Sequence, residues 1–326
     1  MSILSKPYFH DEAAAFRHVE AVLWPMGAVC PHCKSKEAHY RLKNVMTKPS
    51  QKHPEGKVRH GLWKCKTCRK QFTVRIGTIF EESHLELHKW LQAIFLMASS
   101  KKGISAHQMH RTLEVQYKTA WFLCHRIREA MREGEFDIFG SGGGGVEIDE
   151  TFIGTEPHAQ VGDRRKRRAQ GGFGHKMKVL TLVDRNTKRA RSFVIDRVAR
   201  DEIVPILNAN LAKEAHILTD EAKQYRGIVH FTNGAKHGHV NHSKGEYVSF
   251  KNPEVHTQTV ENFYSVFKRG MKGVYQHCSK KHLHRYMAEF DFRYNNRIGN
   301  GVNDFERAMI ALNGVTGKRL TYKLPC

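Results

Sequence analysis

At 326 residues the chain is long enough to bury a large core and to divide into roughly two or three domains. Its 54 Lys and Arg against 32 Asp and Glu leave a formal charge of +22, which attracts polyanions. No stretch reaches the ~18 apolar residues of a membrane span, and the start lacks the basic-then-apolar order of a secretory signal. A cytosolic protein that faces nucleic acid rather than a membrane is expected.

In residues 1–28, Ala13, Phe16, Val19, Val22 and Leu23 recur near helical spacing, which predicts a short helix ended by WPMG. Residues 29–80 are turn-rich and carry two tight cysteine pairs, Cys30 with Cys33 and Cys65 with Cys68. Each pair lets two thiolates reach one ion from a turn, and together they make an all-sulfur tetrahedral site that suits one structural Zn²⁺. The extended segment 72–76 after the second pair fits a zinc ribbon. Four ligands leave no open position for catalysis, and His32 is a competing ligand the site does not need. Two unrelated pairs or a redox thiol are the alternatives. Cys124 reads as a core residue, while Cys278 and Cys326 have no evident role.

Residues 81–138 read as helical. Leu87, Trp90, Leu91, Ile94, Phe95 and Ala98 predict a helix capped by Ser83, with Glu86 three residues on, and Gly103 breaks the pattern. Further helices are predicted over 105–113 and 117–131, the size of a helix-turn-helix. The last carries Tyr117, Trp121, Cys124, Ile127 and Met131 on one face. Gln116, Lys118 and Thr119 at its start are placed to face DNA, and Arg126 is a second candidate DNA contact. An ordinary helical bundle is the alternative.

FGSGGGG at 139–145 reads as a flexible linker. Beyond it, over 146–312, the pattern becomes α/β. VEIDETFIG, KMKVLTLVD and ARSFVIDRV predict three successive strands, with a hairpin turn over 184–188. A helix over 201–212 leads to a short strand, HILTD. Helices over 257–268, 280–295 and 303–312 follow, then a tail over 313–326.

Three carboxylates stand out in this basic region: Asp149 in the first strand, Asp220 at the end of HILTD, and Glu261 at the start of a helix. Acids that converge beside cations can hold two Mg²⁺ ions, with Mn²⁺ as a substitute, against a phosphate backbone. Lys268 lies seven residues after Glu261, on roughly the same helical face, within reach of a bound strand. Glu147 shares the strand face of Asp149 and is a candidate supporting acid, whereas Ile148 and Glu150 point the other way. Asp184 reads as a turn residue, Glu221 as a cap or a solvated acid, and Asp196 and Asp201 as surface acids. His256 is either a water- or phosphate-contacting residue or a plain residue at the start of a helix. Spacing alone specifies little, because D…D…E arises by chance. Arg164, Arg165, Lys166, Arg167 and Arg168 form the densest positive run, expected to grip backbone phosphate. Arg269, Lys272, Lys280 and Lys281 form a second basic surface.

The stretches CPHC…WKCKTCRKQFTVRIGTIFE, YKTAWFLCHRIREAM, VEIDETFIG, ILTDEAKQY and VHTQTVENFYSVFKRGMKGVYQHCSKKHLHRYMAEFDFRYNNR resemble the IS1595-type insertion-sequence transposases, whose catalytic part is the ISXO2-like domain. The likeness runs from about residue 10 to about residue 312. It implies an RNase H-like core, a mixed sheet with flanking helices, preceded by a zinc ribbon and a helical DNA-binding region. Carried onto this chain, it makes Asp149, Asp220 and Glu261 a DDE triad and Lys268 the basic residue after it. Some members have asparagine at the third position; this chain has glutamate.

The expected function is a DNA transposase that binds the terminal inverted repeats of its element and catalyses metal-dependent cleavage and strand transfer. Its partners are double-stranded DNA and further copies of itself, in a homodimer or larger synaptic assembly. The alternatives are a catalytically inert zinc-ribbon DNA-binding protein and a structure-specific nuclease of the RNase H-like class.

Overall fold

A computed structural model describes residues 2–51, 53–132, 137–155, 175–232, 236–250 and 252–321. The chain forms two compact units: Met1–Ser100 with Ile104–Arg132 and Val302–Cys326, and Lys101–Gly103 with Glu133–Gly301.

The first unit opens with helix α1, Glu12–Leu23, capped by Asp11, whose carboxylate accepts the Ala14 N–H at 2.6 Å. Its inner face is Ala15, Phe16 and Val19. Glu20, also buried, accepts from the Trp63 indole at 3.0 Å and from Arg41. These two residues lie in a small antiparallel sheet of β1 (His39–Arg41), β2 (Trp63–Cys65) and β3 (Gln71–Phe72), so the helix is tied to the cysteine-bearing segment. Helices α2 (Leu87–Ser99), α3 (Ala106–Leu113) and α4 (Tyr117–Met131) follow where the apolar spacing predicts them.

The cap of α2 differs from expectation. The Ser83 hydroxyl accepts from the Trp90 indole instead, and the carboxylate of Glu12, from α1, accepts the Leu87 and His88 N–H groups at 2.9 and 3.1 Å. A remote acid satisfies the orphan donors as well as a local one does.

Unit two is built on a five-stranded mixed sheet in the order β6-β5-β4-β7-β8. Strands β4 (Gly145–Ile153), β5 (Met177–Asp184) and β6 (Arg189–Ile195) form an antiparallel meander; β7 (His216–Thr219) and β8 (Lys236–His239) run parallel to β4. One face packs Val179, Met177 and Ile153 against α6 (Gln258–Gly270) and α7 (Lys280–Asn295), through Val260, Phe263, Phe267 and Phe290. The other packs Val146, Ile148, Leu180 and Leu182 against α5 (Arg200–Asn210) and Tyr225. Helices on both sides explain why every residue of β5 is buried. This is the expected α/β core.

Two features depart from the sequence reading. The glycine run at 139–145 is not a free linker. Phe139 exchanges backbone hydrogen bonds with Asn210 and Ala212, the Gly140 N–H donates to Asp184 at 2.8 Å, and Gly145 already belongs to β4. Gly140 has φ +77°, and an added Cβ would lie 2.4 Å from that of Ala215, so glycine here serves close packing. The last helix, α8 (Asp304–Asn313), packs on α2 and α4 in the first unit rather than extending the second. The following segment is also anchored there, with the Ile79 N–H donating to Val315 and Gly317 donating to Gly77.

Candidate functional site

The cysteine pairs come together. Cys30 and Cys68 sulfurs lie 3.7 Å apart, as do those of Cys33 and Cys65, and none is in a disulfide. All four Sγ atoms lie within 4.8 Å of one another. In each pair the residue after the second cysteine, Lys34 or Arg69, adopts φ +60°, so both turns close the same way. The Cys68 N–H donates to Cys65 Sγ at 3.5 Å and, as the largest cause, draws that thiol down to about 6; at Cys33 the Ser35 backbone is the largest single influence and lowers the thiol, but desolvation and the three neighbouring thiols together push it up. The donor set fits zinc in chemistry and number.

The carboxylates are assembled differently. Strands β4 and β7 are parallel neighbours, with Gly145 opposite His216 and Glu147 opposite Leu218. Extending that register by two residues sets Asp149 abreast of Asp220, on strands ~4.8 Å apart. Glu261 sits in the first turn of α6, which packs on the same face of the sheet. One turn further on, the Tyr264 hydroxyl donates to the Asp149 carbonyl at 2.6 Å and ties the helix to that strand position. Asp149 Oδ1 accepts the Glu150 N–H, Asp220 Oδ1 accepts that of Ala222, and Glu261 accepts the Thr257 hydroxyl at 2.9 Å.

Electrostatics mark this as a strained cluster of like charge. Burial first, then the charge of Glu150, push Asp149 up to about 8; Asp220 and Glu261 add to it and the Glu150 N–H opposes. Burial, with the charge of Asp220 behind it, takes Glu150 to about 7 although the Tyr225 hydroxyl donates to it. Asp220 is raised too, chiefly by burial. Among the described residues no cluster containing the three acids closes to the 4.8 Å spacing of the cysteines. Half-buried and exposed acids whose charges repel one another are the chemistry a hard divalent cation relieves, so the residues present fit Mg²⁺ or Mn²⁺.

Other expectations divide. Lys118 is exposed at the start of α4, after a short turn in which Glu114 adopts φ +53°. Arg126 is a correction. It is buried, stacks on Phe122, and donates to the carbonyls of Ile79, Glu81 and Leu320, because the later turns of α4 are a core helix. Lys268 and Arg269 are exposed at the end of α6, Lys272 in the helical turn that follows it and Lys281 at the start of α7, while Lys280 pairs with Asp196. Arg164, Arg165, Lys166, Arg167 and Arg168 lie outside the described residues. His256 lies just before α6, where Arg185 engages its ring. His242 escaped the sequence reading. Its Nε2 lies 3.7 Å from Glu261 while its backbone N–H donates to Glu221, and only the pairing of β8 beside β7 puts it there.

Comparison with known proteins agrees with this architecture. Residues 10–71 match the transposase zinc-ribbon domain of the IS1595 type, and residues 142–295 match the ISXO2-like transposase domain. The chain belongs to the IS1595-type transposases, and its second unit carries their DDE-type, RNase H-like domain. It is 25% identical over 299 residues to an uncharacterized protein in transposable element ISH50 of Halobacterium salinarum, across 87% of this chain and 91% of that protein. A slighter similarity, with 11% identity and a TM-score of 0.29, is to a chain in a simian T-cell lymphotropic virus intasome bound to PP2A regulatory subunit B56 gamma. It covers 62% of this chain and 65% of that one, just under two thirds of its length. Among the described residues no helix is long and apolar enough to cross a membrane.

Proposed function

We propose that this transposase cuts DNA at the ends of its element and joins them to target DNA, with Asp149, Asp220 and Glu261 as the metal-holding triad. The observation that carries the reading is the β4–β7 register, which sets Asp149 abreast of Asp220, with Glu261 on the helix packed against that face. Divalent cations bound there would supply an activated water or 3′-hydroxyl and charge for the leaving oxygen. The Thr257 hydroxyl holds the Glu261 carboxylate in one orientation. Lys268, two turns along α6, reaches toward the phosphate backbone, and Arg269, Lys272 and Lys281 continue that cationic surface. The zinc ribbon and the exposed start of α4, with Lys118, bind the terminal repeats. Two ends must be held together, so the active form is a dimer or larger assembly.

The test is incubation with DNA carrying the inverted repeats that flank the reading frame, in Mg²⁺ and in EDTA. The expected result is Mg²⁺-dependent nicking and joining at the repeat tips, abolished by Asp149→Asn, Asp220→Asn and Glu261→Gln with repeat binding intact. Tight repeat binding without metal-dependent cutting would overturn the reading in favour of an inert DNA-binding protein.

A further inference from the structure

Glu147 is fully buried, yet its carboxylate is at the centre of a network. Its Oε2 accepts the N–H groups of Thr259 and Val260 at 2.8 and 2.9 Å. Its Oε1 accepts the Thr259 hydroxyl at 2.7 Å and Arg185 Nε at 2.6 Å. Thr259 and Val260 belong to the first turn of α6, whose N-terminal N–H groups have no partner within the helix. Thr257 occupies the capping position, but its side chain makes no cap; its hydroxyl is turned to Glu261. Capping has passed from the helix itself to a strand residue.

Arg185 completes the arrangement. The same guanidinium donates to the carbonyls of Glu254 and His256 and to the His256 ring, fixing the chain as it enters α6. Glu147 is two residues from Asp149 on the same face of β4, ~7 Å along the strand. Through it, the start of the helix that carries Glu261 is bound to the strand that carries Asp149.

We propose that Glu147 is a positioning residue which, with Arg185, sets the separation of Glu261 from Asp149 and thereby the affinity of the pair for divalent metal. It touches no substrate and acts through the first turn of α6. The inference rests on the triad reading given above. A buried capping acid that served stability alone would have no effect on metal affinity once the fold is intact, and this separates the two roles.

The experiment is a Mn²⁺ titration, followed by electron paramagnetic resonance of free ion, on zinc-loaded full-length protein. Wild type, Glu147→Gln, Thr259→Val and Asp149→Asn are compared, with thermal melts alongside. Glu147→Gln is expected to weaken Mn²⁺ binding by about 10- to 100-fold while still melting cooperatively, and cleavage is expected to recover as Mg²⁺ is raised. Thr259→Val shifts binding less, in the same direction. Asp149→Asn is not rescued at any metal concentration. If Glu147→Gln does not fold, Thr259→Val decides the matter. Wild-type Mn²⁺ affinity in a folded Glu147→Gln, or in Thr259→Val where it must decide, overturns the inference. Wild-type binding that Asp149→Asn leaves unchanged overturns the triad reading itself, and the inference with it.

Discussion

In the cysteine site, two ligands come from one tight turn and two from another, and four sulfurs already lie within 4.8 Å of one another. In the carboxylate site, one acid comes from the middle of a strand, one from just beyond the end of its parallel neighbour, and one from a helix packed on the first of these strands and on β5. The cysteines are soft ligands that suit a permanent structural ion, and their spacing is written in the chain. The acids are hard, mutually repelling and more open, a donor set that suits a hard divalent cation. The first site is part of the fold; the second is a demand upon it.

The largest expected effect falls on the cysteine side. Cys65→Ser removes a ligand from a closed site, where the apparent binding energy of a structural zinc is about 10–16 kcal/mol. Metal analysis by mass spectrometry should find no bound zinc, and the cooperative melting of the ribbon should disappear. A folded, zinc-loaded variant would break the comparison at its root.

On the carboxylate side the sign is reversed. The free Asp pKa is about 3.9 and that of folded Asp149 is about 8. A raised acid favours the folded state fully below the lower value, and that contribution is lost as pH rises through the higher one. In EDTA, therefore, the second unit should lose melting temperature between about pH 4 and pH 8. Asp149→Asn should reduce that loss, leaving the part due to Glu150 and Asp220, while abolishing cleavage. Added Mn²⁺ should stabilise wild type more at pH 8 than at pH 6, because the carboxylate must be ionised to bind. Calorimetry across that range would show it.

A third prediction separates two cations on α4. Arg126→Ala leaves buried carbonyls unpaired and should cost about 2–3 kcal/mol of unfolding free energy, read from denaturant melts. Lys118→Ala should leave stability within ~0.5 kcal/mol and weaken repeat binding. The smallest effect is expected from Lys268→Ala. It should leave the fold and Mn²⁺ affinity alone, reduce DNA affinity several-fold, and lower the slope of log affinity against log salt by about one. An unchanged slope would place Lys268 away from the phosphates.

The helices were legible in the sequence because their cores follow a period of 3.6. The predicted span of α4, 117–131, and that of α7, 280–295, are the spans observed. Strand β8 was not legible. KHGH has no apolar alternation, since this edge strand is held by its backbone pairing to β7. Caps were misread for a related reason: Ser83 has the local signature, but Glu12 does the capping from another helix. Arg126 looked like a surface cation because periodicity cannot see carbonyls brought in from residues 79, 81 and 320.

By itself the sequence determined the charge that draws polyanions, the four cysteine ligands, the order of the helices and of strands β4 to β7, and the three acids with the motifs around them. Each depends on residues near one another in the chain, where spacing and residue chemistry are sufficient. Only the tertiary structure decided that Asp149 stands abreast of Asp220, that His242 lies beside Glu261, and that Glu147 caps the helix of the third acid. Those relations join residues far apart in sequence, and their geometry comes from strand register and helix packing, which no local pattern encodes.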